Sequence, residues 1–142
     1  HELPGQWIDR SAVIGTCNPI APPMRMEVVG DRSIGHVTLG QRHVGAPGMA
    51  HGGIVAACFD QAMGHAATVH GAGGLTVELV VRYRAPTPLE VPLRYEAWPG
   101  EIEGDFATFE AEAYCDDRRL GSATARFKIL QAEQAARIFT GG

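Results

Sequence analysis

The stretch Ala50–Val69, AHGGIVAACFDQAMGHAATV, decides the architecture. From about Ile54 it contains no proline, its residues are mostly small or apolar, and the cluster Gly71, Gly73 and Gly74 terminates it. That pattern predicts one buried helix of roughly 15 residues, about 23 Å long. Val55, Phe59, Ala62, Met63, Ala66 and Val69 supply its bulky face, whereas Ala56, Asp60, Gly64 and Ala67 form a stripe of small residues at spacings of three or four. Asp60 is the only acid in the stretch. A carboxylate on a surface that permits close approach is costly unless it is paired, hydrogen-bonded or facing a wet cleft. It lies about two turns inside the helix, too deep to cap its start or to gain much from its dipole. Asp60 is therefore a candidate functional acid, weighed against a solvated one.

The approach to the helix, Gln41–Gly53 (QRHVGAPGMAHGG), is a glycine-rich loop containing Pro47. Glycine lets backbone N–H groups come close to a ligand, and the first turn of a helix leaves such donors unpaired. Gly52 and Gly53 are thus candidates for an oxyanion or anion pocket, against the alternative of a loop whose glycines answer only steric needs.

After the helix, Leu75–Arg84 (LTVELVVRYR) alternates as a strand, with Leu75, Val77, Leu79, Val81 and Tyr83 on a continuous apolar face and Thr76, Glu78, Val80, Arg82 and Arg84 on a mostly polar one. Pro86 and Pro88 end it. Leu93–Trp98, Phe106–Cys115 and Leu120–Leu130 read as further strands joined by PGEIEGD and DDRR turns. Upstream, Met24–Val29 and Ser33–Leu39 flank Gly30-Asp31-Arg32 and read as a hairpin. The expected class is α+β: a mainly antiparallel sheet of about six strands against one dominant helix. A single helix covers only part of such a sheet, so self-association is expected.

The expected organisation is an N-terminal arm over 1–23, one domain over 24–130, and a tail or short helix over 131–142. Trp7 and Ile8 would cover part of the core, as would Ile138 and Phe139. A chain of 142 residues with 45% hydrophobic and 20% charged residues suits one globular core, and Gly 18 with Pro 9 points to many turns. Net charge is −4 with no Lys/Arg block, which argues against nucleic acid as the main partner. No apolar run reaches membrane-spanning length. Cys17, Cys58 and Cys115 lack CxxC spacing, so a reduced, cytoplasmic protein is the default expectation, although the sequence starts at His1 and not at Met. The histidines, among them His43, His51, His65 and His70, show no tight ligand spacing, so no metal is expected.

Gly48-Met49-Ala50-His51-Gly52-Gly53, then Asp60, then Gly74–Tyr83 followed by Ala85-Pro86 resemble the hot dog fold thioesterases, in the branch similar to the phenylacetate-pathway and human thioesterase superfamily members. The likeness runs from about Asn18 to Leu130. It implies a curved sheet wrapped around the central helix and a homodimer, possibly a dimer of dimers, whose two sheets become continuous. It further implies an acyl-CoA or other acyl thioester substrate, no cofactor, and a site shared between subunits. There the Gly52 N–H would polarise the thioester carbonyl, Asp60 of the other subunit would act as general base or nucleophile, Thr76 would orient water, and His51 would shape the loop near the thioester. Relatives in this branch often carry Asn at the position of Gly45, so either backbone from Gly45 to Gly48 supplies the contact or the water is placed differently.

For the rest of a CoA ester, Arg82, Arg84, Arg118 and Arg119 are candidate phosphate contacts, against the reading of ordinary solvated charge. Phe59 and Met63 are candidate acyl-pocket residues, against the reading of core. The rival functions are an acyl-thioester hydratase or dehydratase, and a non-catalytic acyl-CoA binding dimer.

Overall fold

The computed structural model describes residues 24–130. The arm with Trp7, Ile8 and Cys17, and the tail with Ile138 and Phe139, lie outside the described residues. Within them the elements are β1 (Arg25–Val29), β2 (Arg32–Thr38), a 3-10 turn (Gln41–His43), α1 (Gly52–Val69), β3 (Gly74–Tyr83), β4 (Pro92–Glu103), β5 (Phe106–Cys115) and β6 (Arg118–Ile129). The strands form one antiparallel sheet in the order β1-β2-β4-β5-β6-β3, leaving β1 and β3 at the edges. With α1 packed on its inner face, this is the expected hot dog fold.

The inner face explains how closely the helix sits. Ala97, Ala107, Ala111, Ala113, Ala123 and Ala125 of the sheet and Ala62, Ala66 and Ala67 of α1 are all buried in one shared core. Larger side chains close the rest of the core: Phe59 meets Tyr95 edge-on at 5.0 Å, and Phe109 meets Phe127 at 5.9 Å. The hydroxyl of Tyr95 is buried beside Cys58 and has no hydrogen-bond partner among the described residues. Burial pushes the Cys58 thiol up to about 12, so it stays protonated. Toward the far end of α1, His65 Nδ1 and the buried Ser33 Oγ are 2.9 Å apart, tying the helix to β2.

The outer face is polar and braced by stacked cations. The Arg32 guanidinium lies 4.3 Å from the Trp98 ring and that of Arg126 lies 3.9 Å from Phe106. Glu96 accepts from Arg32 at 3.1 Å and from Arg94 at 2.6 Å. These half-exposed contacts order the surface more than they stabilise it.

Several expectations need correction. The helix begins at Gly52 and runs 18 residues, absorbing both glycines. Val69 ends it beyond the cover of the sheet and is 47% exposed, while Ala67, assigned to the small stripe, is fully buried. β4 continues through most of the acidic segment to Glu103, with a register shift between Pro99 and Ile102, so that turn shrinks to Gly104-Asp105.

The largest correction concerns β3. Its pairing with β6 shifts between Thr76 and Glu78, so Val77 is an extra residue. Thr76 stands opposite the buried Phe127, Leu79 opposite Ala125 and Val81 opposite Ala123, whereas Glu78 stands opposite the exposed Arg126. Directly paired residues project to the same side. The bulge therefore moves Thr76 onto the inner face with Leu79, Val81 and Tyr83, and puts Leu75 on the outer face. Because β3 is an edge strand, its apolar face is also less buried than the alternation suggested: Leu75, Val77 and Tyr83 are all exposed.

Candidate active site

His51 caps α1. Its backbone carbonyl accepts from Ile54 N–H at 3.0 Å and from Val55 N–H at 3.2 Å, and its Nδ1 accepts from Gly53 N–H at 2.9 Å. Gly53 is thus not an available donor, which corrects the pairing of Gly52 with Gly53. The Gly52 N–H has no hydrogen-bond partner among the described residues. Because Nδ1 accepts, a neutral His51 carries its proton on the exposed Nε2.

The Gly52 carbonyl accepts from the Tyr83 hydroxyl at 2.6 Å, which ties the start of α1 to the end of β3. Between them opens a groove of about 360 Å³ lined by Met49, Gly52, Val55, Tyr83, Arg84 and Pro86. A second groove of about 350 Å³ shares Met49 and Pro86 and includes Cys115 and Arg118.

Eight residues along α1, about 12 Å by helical rise, Asp60 meets the other end of β3. The Thr76 hydroxyl donates to Asp60 Oδ1 at 3.0 Å. Burial pushes the Asp60 carboxyl above its ordinary value, and the Thr76 hydrogen bond pulls it part of the way back. A half-buried carboxylate raised in this way is a better base than a solvated one, and its hydroxyl partner fixes its rotamer.

The loop before the helix is tightly folded. Gly45 N–H donates to Met49 carbonyl at 2.9 Å, Met49 N–H to Ala46 carbonyl at 3.0 Å, and His51 N–H to His43 carbonyl at 2.7 Å. A Cβ on Gly45 would come within 2.9 Å of His51 Cα. This position has no room for any side chain without moving the backbone of the capping residue. The Gly45 N–H is also already used, so of the two expected substitutes a backbone contact would have to come from another residue of the 45–48 loop.

The remaining candidates separate. Phe59 and Met63 are 1% and 0% exposed and fill the core, lining neither groove. Arg82 projects to the outer face opposite Ser122, away from the helix, whereas Arg84 lines the groove at Gly52. Arg118 lines the second groove, and Arg119 is paired with Glu112 at 2.6 Å. Sequence reasoning places Tyr83 only as an apolar strand residue; an aromatic at the end of an alternating strand gives no sign of its bond to Gly52. Among the described residues no group of three or more His, Cys, Asp or Glu side chains is placed to hold a metal, and no helix is long and apolar enough to cross a membrane.

A hot dog fold with a glycine at the helix start and an acid on the buried helix defines a thioesterase-like architecture. Residues 47–122 match the family model described as thioesterase superfamily, and the chain belongs to that family. A crystal structure of a thioesterase superfamily protein is 32% identical with a TM-score of 0.78, covering 82% of this chain; the chain spans 62% of that protein's length. A mutant of the phenylacetic acid degradation protein from Thermus thermophilus is 18% identical, with a TM-score of 0.69 over 75% of this chain and 93% of that one. A hypothetical thioesterase from Streptococcus pneumoniae, solved with coenzyme A, is also 18% identical, with a TM-score of 0.70 over 75% of this chain and 87% of that one. These last two likenesses concern the fold alone. No curated protein matches the chain.

Proposed function

We propose that the protein hydrolyses an acyl-CoA, or another acyl thioester, to a free acid and a thiol. The observation that carries this reading is the Thr76–Asp60 pair: a carboxyl raised by burial, held by a hydroxyl at 3.0 Å, on the same helix whose first N–H is unpaired. Asp60 takes a proton from water as the water attacks the thioester carbon. With Oδ1 engaged by Thr76, Oδ2 is left to hold that water. The oxygen that gains charge is received by Gly52 N–H at the positive end of α1. The thiolate leaves without a strong acid, and the His51 Nε2 edge lies at the start of the same helix.

Gly52 and Asp60 of one chain are about 12 Å apart along the helix and cannot both touch one carbonyl carbon. The working site accordingly combines Gly52 of one copy with Asp60 of a second copy, as a homodimer. The groove at Gly52 fits the approach of the thioester arm, and Arg84 on its wall is the arginine best placed for a CoA phosphate. The coenzyme A seen with the pneumococcal relative supports that choice of carrier. Release of free thiol from a panel of acyl-CoA esters tests the reading. Asp60→Asn and Asp60→Ala should lose about 10²-fold or more in kcat; unchanged hydrolysis by either variant would sink it.

A second reading, acyl-CoA binding without turnover, is favoured by one observation: no side chain fits at Gly45, where relatives often place an amide. Tight binding of acyl-CoA by the wild-type protein with no thiol released would establish it instead. Loss of absorbance with an enoyl-CoA would indicate the hydratase alternative.

A further inference from the structure

Besides Tyr95, the buried polar side chains among the described residues are Ser33, His43 and Thr87. Ser33 meets His65, and His43 Nδ1 accepts from Gly40 N–H at 3.1 Å. Thr87 is only 5% exposed, yet its hydroxyl has no hydrogen-bond partner among the described residues. A hydroxyl buried without a partner is costly. The unpartnered Tyr95 hydroxyl is sealed in the core, but that of Thr87 is not sealed. Of the two grooves, Thr87 lines the one between Gly52 and Tyr83. Water can satisfy the hydroxyl in the free protein, and a ligand in the groove takes that role over.

The hydroxyl is also held still. Thr87 sits between Pro86 and Pro88, and the proline that follows restricts it to extended backbone. Its carbonyl accepts from Ala50 N–H at 2.8 Å. Ala50 lies two residues before Gly52, so Thr87 and the unpaired Gly52 N–H are carried on one hydrogen-bonded frame. The wall around them is apolar at Met49, Val55 and Pro86. Arg84 stands on the same wall, exposed and with no ion-pair partner among the described residues. A ligand matched to this wall carries a carbonyl for Gly52, an aliphatic stretch with one hydrogen-bonding group, and an anion. A secondary amide suits Thr87, whose hydroxyl can donate to the amide carbonyl or accept from its N–H.

We propose that Thr87 is a specificity residue that reads an amide in the thiol half of the ester, separating amide-bearing carrier thiols from plain alkyl thiols. The proposal rests on the hydrolase reading and adds which half of the ester the groove holds. Arg84 assigns that half, because the phosphates of a CoA ester belong to the thiol and not to the acid.

Thioesters of one unbranched acid test it: the CoA ester, the N-acetylcysteamine ester, which keeps an amide and lacks phosphate, and the S-butyl ester, which has neither. Thr87→Val keeps the shape of the side chain and removes the hydroxyl. Its kcat/KM should fall about fivefold to tenfold on the amide-bearing esters and stay within about twofold of wild type on the S-butyl ester. Thr87→Ser should stay within about threefold of wild type on every ester. Ratios between esters are taken within each variant, so a fraction of unfolded protein cancels. An equal loss on all esters would mean a structural role, and no loss on the amide-bearing ones would mean that Thr87 does not touch them; either overturns the proposal. Arg84→Gln should weaken the CoA ester alone, and an equal loss on the N-acetylcysteamine ester would overturn the assignment of the thiol half. If wild type releases no thiol from any ester, the hydrolase reading fails by itself. The esters are then stable ligands, and calorimetric dissociation constants must show the same Thr87→Val pattern or the amide contact fails as well.

Discussion

The Thr76 hydroxyl reaches the Asp60 carboxylate because β3 carries one residue too many at Val77. With uninterrupted alternation, Thr76 would share a face with Glu78 and Arg82 and point away from α1. A bulge costs a little ladder regularity and turns one side chain around. Removing Val77 should therefore separate the pair: the deletion variant is expected to lose roughly 10²-fold in kcat. Thr76→Ala, with the strand intact, should lose about tenfold by the same reasoning. Circular dichroism checks that each variant remains folded.

The same hydrogen bond sets a pH response. The proposed reaction uses Asp60 in its ionised form, and Thr76 holds its pKa below where burial alone would put it. In Thr76→Ala the acidic limb of the kcat profile should move to higher pH. A limb that stays in place would mean another group governs it.

Asp60 also acts on stability. Its folded-state pKa lies above the ordinary value of 3.8, so the folded protein holds that proton more tightly than the unfolded chain. The contribution is fully present below 3.8 and is lost as pH rises through the folded value. At neutral pH, Asp60→Asn should melt higher than wild type while losing activity. Thermal melts at pH 4 and pH 7.5 would show the gain shrinking at the lower pH.

His65 has the opposite sign. Burial lowers its pKa from 6.5, so stability is present above that value and falls as pH drops through the folded value. Ser33→Ala removes its buried partner and should cost about 1–2 kcal/mol in urea unfolding at pH 7.5. His65→Gln should flatten the loss of stability between pH 7 and 5 relative to wild type.

Tyr95 carries a buried hydroxyl without a geometric hydrogen-bond partner among the described residues. Tyr95→Phe keeps the edge-on contact with Phe59 and removes the burden, so it should gain about 1 kcal/mol in the same assay. Loss of stability instead would show that the Cys58 thiol serves as a true partner.

Gly45→Asn introduces the amide that the family resemblance leads one to expect but drives its Cβ against His51 Cα. The expected result is a loss of about 1–3 kcal/mol and slower hydrolysis, as the cap of α1 shifts. Faster hydrolysis would show that the loop opens readily to admit an amide.

Most of the fold is legible in the sequence because its signals are local. Proline-free apolar sequence between glycine clusters marks α1, and five of the strands emerge within a few residues of their true bounds because turn residues flank them. The alternation cuts β4 short because Pro99, Gly100 and the acids after it resemble a turn, yet they continue the strand that pairs with β5 across a register shift. The bulge at Val77 leaves no mark in an alternating string; it emerges only from pairing with β6, and it decides which way Thr76 faces. Asp60 stands out as a lone charge on a buried helix. Tyr83 does not, since its bond to Gly52 joins residues 31 apart in sequence. Phe59 and Met63 illustrate the reverse limit, because bulk on a helix face does not distinguish a core from a pocket.

The alanines between α1 and the sheet have a further consequence. Gly52 and Asp60 ride on one helix, and the buried inner face of the sheet in the core it shares with that helix carries only methyl groups at Ala111, Ala113, Ala123 and Ala125. A single added methyl there would lift the helix and displace both chemical groups together in every copy. The interior thus serves as a gauge block for the position of these two groups, and under the proposed reaction a core substitution far from the site would change which thioesters fit without altering a residue that touches them.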